Sequence, residues 1–140
     1  MNAAVIYWSM TGNTEAMAAA VADGARDAGL DVTLCRVSEI DVDTALNYDV
    51  LALGCPAMGY EVLEELEFRP FFSSLKKHLA GRKVALFGSY DWGIGQWMFN
   101  WEDRTLDAGA VLVNGQGLMV NNTPNQADLE RCRALGAALA

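Results

Sequence analysis

The sequence predicts an α/β protein: a doubly wound, five-stranded parallel sheet in the order 2-1-3-4-5, with helices on both faces. Three observations point there. Short apolar runs alternate with helical patterns along the whole chain. Two of those runs, Ala3 to Trp8 and Val50 to Leu53, are apolar at every position, as strands covered on both faces are. Strand–helix–strand crossovers at this spacing are right-handed and set successive strands parallel.

The first strand, Ala3-Ala4-Val5-Ile6-Tyr7-Trp8, runs into Ser9-Met10-Thr11-Gly12-Asn13-Thr14. A helix follows, with Met17, Val21, Gly24 and Ala28 on one stripe, and closes at Ala28-Gly29. Val32 to Val37 reads as the second strand, Asp41 to Leu46 as one or two helical turns, and Val50 to Leu53 as the third strand. Phe68 to Leu79 is helical, with Pro70 in its first turn and Gly81 ending it. Lys83 to Phe87 is the fourth strand and Gln96 to Ala108 a helix. The fifth strand covers Ala110 to Val113 and resumes at Leu118 to Val120; the last helix opens near Pro124 and runs to the C-terminus. At 140 residues and 52% hydrophobic, the chain is expected to form one domain over residues 1–140.

Composition excludes several functions. A net charge of −8 argues against nucleic acid and anionic membranes, and suits a basic partner. No apolar run reaches the length of a membrane span, and a strand beginning at residue 3 leaves no room for a signal peptide, so a cytoplasmic protein is expected. Cys35, Cys55 and Cys132 are odd in number and widely spaced, which fits packed thiols in a reducing compartment rather than a disulfide framework. With His78 as the single histidine, beside Lys76 and Lys77, neither a metal cluster nor a Ser–His–acid set can be assembled.

In this fold class ligands bind beyond the C-terminal ends of the strands, at the point where the strand order reverses. Three loops leave those ends. The first is Ser9–Thr14. A strand turning directly into a helix leaves the first helical N–H groups unpaired, and three hydroxyls, an amide and a glycine there make a donor pocket for a phosphate. No Lys or Arg lies in the loop or the first helical turn, which excludes a nucleotide-hydrolysing P-loop. An ordinary Thr- or Asn-capped helix is the alternative. The second loop, Cys55-Pro56-Ala57-Met58-Gly59-Tyr60-Glu61, is followed by Glu64, Glu65 and Glu67. The third, Ser89-Tyr90-Asp91-Trp92-Gly93-Ile94-Gly95, holds aromatics near glycines; Trp92 either folds back onto the core or serves as a stacking platform for a flat ligand. Gly93 to Met98 lacks the third glycine of a dinucleotide-binding fingerprint and opens no first βα turn.

Tyr7-Trp8-Ser9 leading into Thr11-Gly12-Asn13-Thr14, then Ala57-Met58-Gly59 with Glu61, then Phe87-Gly88-Ser89-Tyr90 with Trp92-Gly93, resemble the short-chain flavodoxins of anaerobic bacteria. Flavodoxins are the type example of the 2-1-3-4-5 order. The similarity runs from the first strand to the last helix and leaves no room for the inserted loop of long-chain members. It implies a flavodoxin-like fold and a low-potential, non-enzymatic one-electron carrier with non-covalently bound FMN, cycling between semiquinone and hydroquinone. Implied partners are redox proteins of ferredoxin type with basic docking faces, met by a monomer.

Carried over residue by residue, the resemblance assigns the FMN phosphate to Ser9, Thr11, Asn13 and Thr14, with the backbone of Met10 and Gly12 completing the loop. Ser89 and Asn122 would meet phosphate or ribityl oxygens. Met58, carried by Pro56-Ala57, would lie against one face of the isoalloxazine and Trp92 against the other. Glu61 would accept from the flavin N3–H, and backbone N–H groups near Tyr90, Asp91 and Gly93 would donate to the pyrimidine oxygens. Gly59 is the position whose carbonyl turns toward N5. With that carbonyl turned away, a type II turn would want φ > 0 at Tyr60, at a cost of roughly 1–2 kcal/mol.

The chain departs from the family pattern at Met10 and Asp91, where Gly is usual, at Tyr60, where a small polar residue is common, and at Ile94, where a polar residue stands. These changes leave the phosphate and stacking groups in place and bear on the redox potentials. Two other functions share the strand order. An FMN-dependent quinone or porphyrin-precursor oxidoreductase would need an open second site over the flavin. A flavin-free phospho-regulated module would need an acidic pocket after the first strand, where this chain has hydroxyls.

Overall fold

The computed structural model describes all residues from Met1 to Ala140. Strands β1 (Asn2–Tyr7), β2 (Asp31–Arg36), β3 (Val50–Gly54), β4 (Lys83–Tyr90), β5 (Val111–Leu112) and β6 (Leu118–Asn121) form one sheet in the order β2-β1-β3-β4-β5, with β6 also paired to β4. Every pairing is parallel. β5 meets the beginning of β4 at Lys83 and Val84, and β6 meets its end from Phe87 to Tyr90. The fifth position is thus one interrupted strand, broken by a 3-10 turn at Val113–Gly115 in which Asn114 adopts φ 61°.

Helices α1 (Asn13–Asp27) and α5 (Gln126–Ala137) cover one face; α2 (Val42–Ala45), α3 (Phe68–Leu75) and α4 (Gln96–Asp107) cover the other. The strand period of two sorts the core between them. Ala4, Ile6, Leu51, Leu53, Val84 and Leu86 point to the aromatic side, against Phe68, Phe72, Trp97 and Trp101. Ala3, Val5, Val50, Ala52, Ala85 and Phe87 point to α1 and α5, against Met17, Val21 and Leu135. α1 and α5 approach backbone to backbone at Gly24 and Gly136, where a Cβ would run into the carbonyls of Arg133 and Val21.

Several boundaries differ from the sequence reading. β4 continues three residues past Phe87, so Ser89 and Tyr90 belong to a strand end. Gly88, just past the expected strand end, is a close-approach glycine: a Cβ there would meet the Cys55 carbonyl of the neighbouring strand end. α3 ends at Leu75 and tightens into a 3-10 turn over Lys76–His78. Ala28 is the exposed C-terminal cap of α1 and leaves the apolar stripe. α5 opens close to Pro124, on a reciprocal cap between Asn125 and Asp128, and ends at Ala137, short of the C-terminus. The three thiols are unpaired, and burial raises the pKa of each, Cys132 to about 11. No helix is long and apolar enough to cross a membrane.

Candidate functional site

The C-terminal ends of β1, β3 and β4 deliver three loops to one edge of the sheet. Gly12 enters α1 in the left-handed region, φ 97°, as an N-cap residue with no side chain to offer. This removes the ordinary Thr/Asn-capped reading. The Ser9 hydroxyl instead turns back on its own loop, accepting from the N–H of Gly12 at 3.2 Å and of Glu15 at 3.3 Å. The N–H groups of Asn13 and Thr14 find no acceptor within the chain. Buried Thr14 hydrogen-bonds Ser89 hydroxyl to hydroxyl at 2.9 Å, which locks the first loop to the end of β4.

Around these donors lies a cleft of about 140 Å³ lined by Ser9, Met10, Thr11, Asn13 and Thr14, by Pro56, Ala57 and Met58, and by Ser89, Tyr90, Asp91 and Asn122. Asn122 arrives from the loop after β6 with φ 61°, a conformation asparagine tolerates, and its N–H donates to the Tyr90 carbonyl at 2.7 Å. No Lys or Arg lines the cleft. Its positive end is the N-terminus of α1, where aligned peptide dipoles leave roughly half a unit charge.

The remaining candidates stand at the rim. Met58 and Val62 exchange backbone hydrogen bonds at 2.8 and 2.9 Å, closing Gly59, Tyr60 and Glu61 into a tight loop. In it Gly59 has φ 50° and Glu61 φ 55°, while Tyr60 stays out of the left-handed region. The anticipated strain on Tyr60 is therefore absent and falls on Glu61 instead. The loop length explains the shift: three residues, not two, lie between the paired ends. Tyr60 is 93% exposed and Trp92 57% exposed, so Trp92 does not fold back onto the core. Glu61 reaches across to the third loop. Its Oε1 accepts from the N–H of Gly95 at 2.9 Å and of Gln96 at 2.8 Å, capping α4, and its carboxyl fills the space beside Gly93.

Two positioning residues escaped the sequence reading. Glu64 stands in sequence only as one of the acids following the second loop, but it is buried and its carboxylate accepts from the N–H of Leu66, Glu67 and Phe68 at 2.7–2.8 Å. It caps α3 and anchors the second loop from behind. An acid three or four residues ahead of an aromatic helical run was the available signal. Glu67 accepts from the Trp8 indole N–H at 3.3 Å, a link that nothing in the sequence announced.

The donor set fits the FMN that the resemblance implies. Unpaired helix N–H groups, clustered hydroxyls and the absence of cations suit a phosphate ester held by hydrogen bonds. The cleft has room for the phosphate and a short polyol chain, and an exposed tryptophan with a methionine loop flanks its mouth. The flavodoxin family model matches residues 5–136. Among curated proteins, a flavodoxin of Clostridium beijerinckii is 47% identical over 136 residues, covering 97% of each chain. A flavodoxin of Megasphaera elsdenii is 46% identical and covers 97% of this chain and 96% of its own. The solution structure of two-electron reduced Megasphaera elsdenii flavodoxin superposes with a TM-score of 0.88 at 46% identity, covering 98% of this chain and 97% of that one. The chain belongs to the flavodoxin family, electron-transfer proteins, rather than enzymes, that bind FMN without a covalent bond and pass electrons to redox partner proteins.

Proposed function

We propose that the cleft holds FMN by the residue set the resemblance assigns, and that the chain works as a low-potential one-electron carrier on residues 1–140 as one domain. FMN supplies the one-electron chemistry; the chain supplies binding, orientation and charge. Ser9, Thr11, Asn13 and Thr14, with the free N–H groups of the first turn of α1, take the phosphate. Ser89 and Asn122 take phosphate or ribityl oxygens. Met58 and Trp92 flank the ring, and the backbone near Asp91 and Gly93 donates to its pyrimidine oxygens. Glu61 uses Oε1 for the end of α4, which leaves Oε2 to accept from the ring N3–H.

The observation that carries this reading is the phosphate pocket itself: unpaired helical N–H groups beside a Thr14–Ser89 hydroxyl pair, with no cation in the wall. The purified protein is expected to show the absorption bands of oxidised flavin, to release FMN on acid precipitation, and to rebind FMN far more tightly than riboflavin. Equal affinity for the two would place the phosphate elsewhere.

For the partner we infer a basic docking face. The exposed apolar groups Met10, Tyr60, Trp92 and Ile94 belong to the three loops that carry the cleft, and exposed Glu65 and Asp91 add charge to a chain of net −8. The chain would act as a monomer, and unpaired thiols suit a cytoplasmic setting.

A further inference from the structure

A second cavity, of about 450 Å³, is lined by α3, by α4 and by the segment from Glu61 to Leu63. Arg69 and Arg104 both line it. The chain carries 18 acidic against 10 basic residues, and four of its arginines, Arg26, Arg36, Arg131 and Arg133, pair with carboxylates. Arg82 donates to the carbonyls of Leu46 and Tyr48. Arg69 and Arg104 have no such partner. The Arg104 guanidinium lies 5.1 Å over the Phe72 ring and meets only the Ser73 hydroxyl, at 3.4 Å. Burial of Arg104, and then the charge of Arg69, lower the Arg104 pKa, so the two cations lie close enough to repel each other.

Trp101, in the wall, keeps its indole N–H on the buried side rather than open to the cavity, where it reports on the packing behind the site. Trp101 is 1% exposed, and its indole N–H is buried without an acceptor. Phe68 and Phe72 meet the indole edge-to-face, with centroids at 5.4 and 6.0 Å, and offer it no oxygen. A buried donor left unpaired is unfavourable. Two carboxylates also line the cavity. Glu61 is committed through Oε1 to the N-terminus of α4, and Asp103 forms no ion pair with either arginine.

We propose that this cavity binds a small organic oxyanion: a carboxylate carried on an apolar ring or short alkyl body. Arg69 and Arg104 take the carboxylate oxygens, the geometry in which a guanidinium fork is strongest. Leu63, Trp97 and Trp101 take the apolar body. The volume lies within the roughly 300–1,000 Å³ of small-molecule sites. The cavity shares no lining residue with the phosphate cleft, and Glu61, proposed above to meet the flavin ring, is the one group that borders both the ring end and this site.

The test uses isotope-labelled, FMN-loaded protein, so that the phosphate pocket is filled, and follows the Trp101 indole N–H resonance at low ionic strength. Benzoate is expected to move it saturably at millimolar concentration. Benzyl alcohol, of the same shape without the charge, is expected to leave it in place. Arg69→Gln, on an exposed side chain, and Arg104→Gln should each weaken benzoate at least about tenfold. The proposal falls if benzoate produces no saturable shift, if benzyl alcohol or inorganic phosphate binds as well as benzoate, or if Arg69→Gln binds benzoate like the parent.

Discussion

The two ends of the flavin cleft are built on opposite principles. The phosphate end is rigid and inward. Thr14 and Ser89 are buried and bonded to each other, Ser9 folds onto its own loop, and α1 is pinned behind them by the close approach of α5 at Gly24 and Gly136. The ring end is exposed and borrowed. Gly59, Tyr60 and Glu61 hang from one pair of backbone hydrogen bonds, Trp92 stands in solvent, and the third loop depends on a carboxylate from the second. Donors held before a ligand arrives contribute affinity, because little ordering remains to be done on binding. Groups left free to adjust cannot do that, but they set the charge and shape around the ring. The phosphate end should therefore govern how tightly FMN is held, and the ring end how readily it takes electrons.

The sharpest way to break that division is the double variant Thr11→Ala/Thr14→Ala. Each hydroxyl hydrogen bond to a charged group is worth about 1.5–3 kcal/mol, so FMN affinity should fall by at least about a hundredfold. The two losses share a loop and need not add. Riboflavin titrated into parent and variant apoprotein should bind alike. A variant that keeps the parent's affinity for FMN, or loses riboflavin equally, would show that the phosphate end is not a separate unit.

Glu61→Ala probes the other end and should leave a different signature. It removes a carboxylate that accepts two backbone N–H groups at the start of α4. Losing a helix-capping side chain costs about 0.5–2 kcal/mol, readable in urea unfolding of the apoprotein. Because the loosened loop serves the ring, FMN and riboflavin should weaken by the same factor. Selective loss of FMN would contradict the assignment of Glu61 to the ring end.

How far each end could be read from sequence follows from the same contrast. The phosphate end is local: Ser9 to Thr14 is one uninterrupted stretch between a strand and a helix, and its chemistry is written in consecutive residues. The sheet order was equally legible, since fully apolar strands and short crossovers leave few alternatives. The ring end is assembled from distant segments. That Glu61 would cap a helix beginning at Gln96, or that Glu64 would turn inward while Glu65 stays exposed, depends on where loops meet in space. The role of Gly88 was hidden for a related reason: its absent side chain answers to Cys55, a neighbour only after β3 and β4 pair.

Asp91→Asn should have a smaller effect, confined to the electron-transfer side of the comparison. Asp91 lines the cleft and is exposed, so its interaction with added charge is screened. Exposed charge pairs are worth about 0.2–1 kcal/mol, or roughly 10–40 mV for one electron. The second one-electron midpoint should rise by that amount at low ionic strength and by less in high salt, with FMN affinity nearly unchanged. A midpoint that does not move at low salt would remove Asp91 from the account.

Tyr60→Asn should do least of all, and for a reason that reverses the expectation from sequence. Had Tyr60 been held at positive φ, relief of roughly 1–2 kcal/mol of strain would have lowered the first one-electron midpoint by about 40–90 mV. The loop instead places its left-handed residues at Gly59 and Glu61, on either side of a tyrosine that is almost wholly exposed. Asparagine at that position has no strain to relieve and no packing to lose. Potentiometric titration of the variant should give a first midpoint within about 20 mV of the parent, well below that strain-derived shift. A drop of the larger size would mean that the loop also visits a turn with Tyr60 in the left-handed region when FMN is oxidised. The ring end would then be bistable at Tyr60 as well as strained at Glu61.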